Sequence, residues 1–267
     1  MITVSIVTYH TDDRELGACL KCLASDRVRR IYIVDNSRSE NTRRLTHGRE
    51  KVVYIPSDNR GYGAGHNQAI RLAEREAGTG YHLVMNSDVS FDPGIIERIE
   101  GYMDAHPDVG ALQPLIFSPD GSRQFTCRAL PTPLDVFARR FLPARFMQGR
   151  RDRYLLKHLD ERLTWNIPYH QGSFMFMRMD ALRETGYFDE RFFMYPEDID
   201  LTRRIHRKFK TVQWPGAAIV HDHRADSYKS LRMTWIHAVN MVRYFNKWGW
   251  VSDRERDAFN SGISVVK

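Results

Sequence analysis

Short apolar runs rich in β-branched and aromatic residues recur through the first half of the chain. An amphipathic stretch of helical period separates each from the next. VSIVTY (4–9), IYIVD (31–35), VVYI (52–55) and YHLVMN (81–86) predict strands. The stretches near 14–25, 65–77 and 93–105 predict the helices between and after them. Such alternation predicts an α/β fold: a Rossmann-like, mostly parallel central sheet with helices packed on its faces. The second half is less regular. SFMFMRM (173–179) predicts another buried strand and EDIDLTRRIHRKF a helix beginning near Pro196. AAIVH (217–221) predicts a late strand ending on a histidine, and Leu231 to Trp248 a helix rich in Met, Trp, Tyr and Phe. That last helix is expected to pack on its own domain.

In open sheets of this type a ligand sits beyond the carboxyl ends of the strands. Three polar clusters occupy such positions: Thr8-Tyr9-His10, Asp35-Asn36-Ser37 and Asn86-Ser87-Asp88. Asp88 suits either an Asx turn or a hard divalent cation that also takes diphosphate oxygens and water. Asp35 is either a turn residue or an acceptor for a donor group on a nucleobase. The glycine-rich run from Asn59 to Asn67, NRGYGAGHN, follows the third strand, has His66 in place of a third glycine and lacks Gly-Lys-Ser/Thr. It is therefore neither a dinucleotide fingerprint nor a Walker loop. What remains is a glycine turn into a helix, either a tight turn alone or a place where backbone approaches a nucleotide. His221 and His223 would share one face of the late strand, and a neutral imidazole there can join Asp88 around a metal such as manganese.

The stretch FDERFFMYPEDIDL places Glu197, Asp198 and Asp200 directly after an aromatic run. Acidic residues suit the first turn of a helix, and a carboxylate beside apolar walls has the raised pKa of a useful base. On a helix, Asp198 shares a face with Leu201 and Ile205 and looks toward the core side. Asp200, with Arg203 and Arg204 in reach, reads as an ion pair either at the surface or just behind the site, and Glu197 lies between these cases.

The 267 residues, 42% of them hydrophobic, suffice for one large domain or one domain with an appendage. Forty Lys and Arg against 33 Asp and Glu give a net charge of +7, which suits anionic partners without choosing among them. The seven cations between Arg139 and Lys157 read either as a solvated helical face or as a surface for anionic lipid headgroups. MITVSIVTYH has no signal-peptide pattern, and no stretch approaches the roughly 18 apolar residues of a membrane span. The expected location is cytoplasmic, with peripheral membrane contact at most. Cys19 and Cys22 fall at helical spacing with Leu16, Leu20 and Leu23, which favours core over zinc. No nucleic-acid-binding signature is present, and no nucleic-acid partner is expected.

VSIVTYH, IVDNS, NRGYGAGHNQAI, LVMNSDV, QGSFMFMR, FDERFFMYPEDIDLTRRI and IVHDH follow one another from residue 3 to about 223. In that order they resemble a family-2 glycosyltransferase of the GT-A fold, in the rhamnosyltransferase-like branch that builds bacterial surface polysaccharides. The resemblance implies inverting transfer of a sugar from a nucleoside-diphosphate donor to a hydroxyl of a glycan or lipid-linked saccharide. dTDP-rhamnose fits the branch best, with UDP-sugars open, and Mg²⁺ or Mn²⁺ is the implied cofactor. Thr8, Tyr9 and Asp35 match positions that cradle base and ribose. Asn59, Gly61, Gly63 and Asn67 match the donor loop, with Asn86 and Ser87 beside the nucleotide sugar. Asp88 matches the last acid of the DxD metal motif and His221 a histidine that completes the site. Asp198 matches the catalytic base, and Gln171, Gly172 and Glu197 fall on the acceptor side. Asn86 departs from the motif and leaves one charge fewer for a metal.

Residues 1–225 would be the catalytic domain, with a nucleotide-sugar half to about 120 and an acceptor half beyond it. Residues 226–267 would be a helical extension packed on it. A glycosidase fits less well, since its acid/base pair has no use for nucleotide loops. The alternative is an inactive scaffold of the same fold with a basic, membrane-facing surface.

Overall fold

The computed structural model describes residues 1–138, 144–222 and 231–266. The four strands of the first half are β1 (Ile2–Thr8), β2 (Val28–Asp35), β3 (Val52–Pro56) and β4 (Tyr81–Met85). They lie parallel in the order β4-β1-β2-β3. Helices α1 (Asp13–Cys22), α2 (Glu40–Thr46) and α3 (Tyr62–Arg75) make the crossovers. α1 begins where the Asp12 carboxylate accepts the N–H groups of Arg14 and Glu15, a capping bond that satisfies orphan donors of the first turn. Cys19 and Cys22 are buried thiols on its inner face, as their helical spacing predicts.

The later strands are β5 (Val89–Ser90), β6 (Val109–Phe117), β7 (Arg123–Gln124), β8 (Cys127–Arg128), β9 (Trp165–Asn166), β10 (Tyr169–His170), β11 (Phe174–Arg178), β12 (Lys210–His221) and β13 (Ser264–Val265). β11 enters the sheet antiparallel between β4 and β6, and β12 lies parallel to β6. An antiparallel strand begins where its parallel neighbours end. Residues 171–173 therefore arrive at the carboxyl end of β4, where the Asn86 N–H donates to the Ser173 carbonyl at 3.0 Å. β8 and β10 form a separate two-stranded ribbon beside that edge.

The late strand is longer than AAIVH. It runs through Pro215 and Gly216, where its register against β6 shifts between Trp214 and Ala218. Gly216 is needed there because a Cβ would meet the Trp214 ring. Proline and glycine, which are ordinarily disfavoured inside a strand, here mark a bulge.

The remaining helices are α4 (Gly94–Ala105), α5 (Ala144–Tyr154), α6 (Met179–Thr185), α7 (Glu197–His206), α8 (Leu231–Trp248) and α9 (Arg254–Ser261), with one π-helical turn at Leu134–Ala138. α8 packs Met241, Tyr244 and Phe245 against Leu130, Tyr169, Phe192 and Ile199, and β13 pairs with β9 at the sheet's far edge. Among the described residues no helix is long and apolar enough to cross a membrane.

Candidate active site

The three polar clusters predicted from the strand ends do meet at one edge. Tyr62, the first residue of α3, stands at its centre. Its hydroxyl lies 2.6 Å from the Gly172 carbonyl and 3.1 Å from Asn86 Oδ1. Burial, with Glu197, Asp198 and Asp88 nearby, raises that phenol well above its ordinary value. Gly172 fits because a Cβ there would press on the Tyr62 ring and on Asp198. Its N–H donates to Asp198 Oδ2 at 3.0 Å, while Oδ1 accepts the Ile199 N–H at 2.8 Å.

Asp198 is buried in the first turn of α7, on the core side as its spacing predicts. Burial raises its pKa, against which the two backbone N–H groups and the Arg128 guanidinium stabilise the anion. Glu197 is raised well above its ordinary value, by burial and then by Asp198, against backbone N–H groups that favour its anion, and among the described residues its Oε2 has no hydrogen-bond partner. Asp198 is therefore the better supported anion of the pair. Arg128 reaches this site from β8, which pairs with the strand leading into Gln171 and Gly172.

At the other end of the edge, Asp88 Oδ1 faces His221 Nε2 at 3.3 Å. His221 Nδ1 lies 2.9 Å from Gln124 Oε1, and the Gln124 NH₂ donates to the His221 carbonyl at 2.8 Å. That second bond fixes the amide orientation, so Oε1 accepts and Nδ1 carries the ring proton. In the neutral ring the Nε2 lone pair then points at a carboxylate oxygen. Two acceptors meeting in this way, with the second ring nitrogen held by an amide, fit a divalent cation. Neighbouring ligands of an octahedral ion with bonds of about 2.1 Å stand roughly 3 Å apart, close to the distance found here. Among the described residues no third acid, histidine or cysteine completes a ligand set, and His223 lies outside them. Ser87 donates to Glu15 rather than toward this pair.

The ends of β1 and β2 form the third part. Thr8 Oγ1 and Asn36 Oδ1 are buried without partners, and Tyr9 is 58% exposed beside them. Asn36 donates to Asn59 Oδ1, which also accepts the Gly61 N–H and so ties the glycine loop to this edge.

Several predicted donor-side residues are engaged inside the protein. The Asp35 carboxylate accepts from the Ser37 N–H and hydroxyl, the Ser39 N–H and the Tyr54 hydroxyl. Those four bonds fill its acceptor positions, so it shapes the turn, and Ser37 would have to rotate before a base could bond to it. Asn67 spends its amide on the Phe188 N–H and carbonyl and on Glu190. It braces α3 against the stretch before the acids and is no donor contact. Gly61 and Gly63 also serve this packing: a Cβ on either would overlap Phe193 or Phe188.

Asp200 takes the second of its two ion-pair readings, behind the site and away from the surface. It is fully buried, pairs with Arg204 at 2.9 Å and Lys247 at 2.5 Å, and accepts the Trp248 indole N–H at 2.9 Å. Arg203 turns instead to Asp253, in a two-pronged bond of 2.6 and 2.7 Å, and to Glu255. In the basic stretch, residues 139–143 lie outside the described residues, while Arg150 pairs with Asp135 and Lys157 with Asp152. Sequence reading missed Tyr62, Gln124 and Arg128. Tyr62 stood inside the glycine loop, but nothing in the sequence signals the other two.

The sequence profile described as glycosyl transferase family 2 matches residues 3–186. The N-acetylglucosaminyl-diphospho-decaprenol L-rhamnosyltransferase of Mycobacterium tuberculosis is 31% identical over 222 residues, which cover 77% of this chain and 70% of that one. Mannosyltransferase PcManGT from Pyrobaculum calidifontis, solved with GDP-Man and Mn²⁺, matches over 91% of this chain with a TM-score of 0.59 and 16% identity. S. aureus TarS matches over 85% of it with a TM-score of 0.54, also at 16% identity. This chain spans 64% and 62% of those two solved chains, less than two thirds of either. On the profile, the relative and the fold together, the chain is a glycosyltransferase of family 2 with the GT-A fold.

Proposed function

We propose that the chain transfers a sugar, with inversion, from a nucleoside-diphosphate donor to a hydroxyl of a glycan or lipid-linked saccharide. The observation that carries this reading is a run of buried polar atoms along one edge that have no partner among the described residues: Thr8 Oγ1, Asn36 Oδ1, Ser173 Oγ and Glu197 Oε2. Buried polar atoms are normally paired, and orphans gathered at the ligand edge of an open sheet call for a polar ligand. Thr8, Asn36 and the exposed Tyr9 ring would take the base and ribose, with Asp35 and Asn59 holding their loops. Asn86, Ser87 and the backbone of the glycine loop would border the diphosphate and sugar, with Gln171, Gly172 and Glu197 on the acceptor side.

Asp198 would take the proton of the acceptor hydroxyl as its oxygen attacks the anomeric carbon from the face opposite the diphosphate. The new C–O bond forms as the bond to the diphosphate breaks, and the electron pair leaves with the phosphate oxygen. One base suffices, because no covalent intermediate intervenes. The Gly172 and Ile199 N–H groups fix the Asp198 side chain in place, and Tyr62 holds Gly172 through its carbonyl. Glu197, kept protonated, can donate to a sugar hydroxyl. Asp88 and His221 would hold Mg²⁺ or Mn²⁺, which supplies positive charge against the leaving diphosphate.

The Mycobacterium tuberculosis relative, named for rhamnose and a decaprenol-diphosphate-linked sugar, supports dTDP-rhamnose and a lipid-linked acceptor. Such an acceptor goes with a cytoplasmic enzyme in peripheral contact with the membrane's inner face, working in surface-polysaccharide synthesis. A panel of nucleotide sugars, with and without Mg²⁺ or Mn²⁺, tests the reading through nucleoside-diphosphate release and thermal shift. Stabilisation and turnover with one donor, lost after EDTA, is the expected result. No shift with any donor would support the inactive scaffold instead.

A further inference from the structure

We infer that the outer face of α8, with the turn that follows it, docks on an anionic lipid bilayer. From Lys229 to Ser252 the sequence contains no acidic residue, and it holds Lys229, Arg232, Arg243 and Lys247. Within this stretch Trp235, Val239, Val242 and Asn246 follow at spacings of four, three and four, so they share one face of the helix. Trp235 is 70% exposed and Val242 38% exposed. Trp250 donates its indole N–H to Asn246 and so continues the stripe past the helix end, followed by Val251 at 90% exposure. Leu134, also exposed, sits on the π-helical turn whose Phe137 stacks on Trp250. The opposite face of α8 is packed in the core through Met241, Tyr244 and Phe245, so the stripe belongs to an anchored helix.

Cations flank the stripe. A cavity of about 440 Å³, lined by Arg191, Phe192, Arg243, Asn246 and Lys247, opens beside it. Asp189 holds Arg191 and Lys247 from behind, and Asp200 also holds Lys247. Arg243 donates only to the Arg191 carbonyl and Asn240 Oδ1, and among the described residues no acid pairs with it. Exposed tryptophans beside basic residues match the headgroup region of a bilayer, where indole rings sit and anionic lipids attract cations. A second copy of the chain is a poorer occupant, because a two-fold contact on this face would set like charges against each other.

The surface touches the catalytic machinery at its back. Asn240 donates to the Met194 carbonyl and Arg243 to that of Arg191, both on the stretch leading into Asp198. Docking would hold the acid site at the membrane, where a lipid-diphosphate-linked acceptor resides. Its purpose, though not its test, rests on the proposed acceptor.

The test is co-sedimentation of the full chain with vesicles of phosphatidylglycerol and phosphatidylcholine, against phosphatidylcholine alone. Binding to the anionic vesicles only, weakened by salt, is expected. Trp235→Glu with Val251→Glu should abolish it, and Arg232→Gln with Arg243→Gln should weaken it by roughly fivefold per charge. Unchanged binding in either double variant, or equal binding to neutral vesicles, overturns the proposal. So does a dimer, seen by light scattering, that Trp235→Glu dissociates while vesicles are ignored. Transfer to a soluble acceptor is followed in parallel. Its retention in a variant that no longer sediments supports docking, whereas its absence from wild-type protein that still sediments counts against the enzymatic reading alone.

Discussion

Three acids within four positions divide by what their oxygens touch. Asp200 is held by Arg204, Lys247 and Trp248; Asp198 by two backbone N–H groups; Glu197 Oε2 by no group among the described residues. Asp198 combines burial at the ligand edge with support for its anion from the Gly172 and Ile199 N–H groups and from Arg128. Because burial raises its pKa, the base is lost as pH falls through a value above the ordinary carboxylate range. Initial rates against pH should thus show kcat/KM falling on the acid side with a midpoint above about 4, the usual value for such a group. A midpoint at or below it would remove burial as the tuning force.

Gly61 gives a second prediction at this scale. Its φ of +102° and the Phe193 carbonyl against it leave no room for a side chain. Gly61→Ala should cost at least roughly 1–3 kcal/mol in denaturant unfolding from backbone strain, with the overlap against Phe193 adding to it. The sequence made Asp198 legible, because its spacing to Leu201 and Ile205 is local. The Asp200–Arg204 pair was legible for the same reason, but its burial was not settled, because Lys247 and Trp248 stand 47 and 48 residues further on, beyond any periodic pattern.

At the level of elements, α7 carries the proposed base on one side and is clamped from the other by the C-terminal segment. Arg203 is buried, pairs with Asp253 and Glu255 and stacks on Trp248 at 4.1 Å. A buried charge stripped of its partner is costly. Asp253→Ala should destabilise the fold by about 3–5 kcal/mol in denaturant unfolding, and Arg203→Met with Asp253→Ala by less than Asp253→Ala alone. If the double variant were the less stable, the pair would not be acting as a charge pair. The helices of the first half were readable because their caps and apolar stripes are local, as in α1 and α3. β12 was cut short by Pro215 and Gly216, and the π-helical turn at Leu134–Ala138 has no sequence signature.

Across the described residues, burial lowers the pKa of four histidines. Ser5 Oγ sits between His66 Nδ1 at 2.7 Å and His82 Nε2 at 2.8 Å. Burial pushes His66 well down, His82 and His170 to about 3, and His206 to about 4. The unfolded chain binds those protons near pH 6.5 and the folded one does not, so stability falls as pH drops below that value. Glu197 and Asp198 act in the opposite sense, since the folded state holds their protons at higher pH than the unfolded state does. Four groups against two decide the sign. The melting temperature should fall by several degrees between pH 7 and pH 5, and a rise would contradict this balance.

The α/β class was legible from alternation alone. The antiparallel entry of β11, which brings Gly172 to Asp198, was not, because strand direction depends on the connections around it rather than on its own residues. The family profile ends at residue 186, before Asp198, so the base is the claim most in need of a direct measurement. That measurement is sugar transfer by Asp198→Asn, with donor binding followed by thermal shift on the same sample. The account predicts a loss of about 10²–10⁴ in kcat, the usual contribution of a general base, with donor stabilisation unchanged. Near-normal transfer by a variant that still binds donor would contradict it.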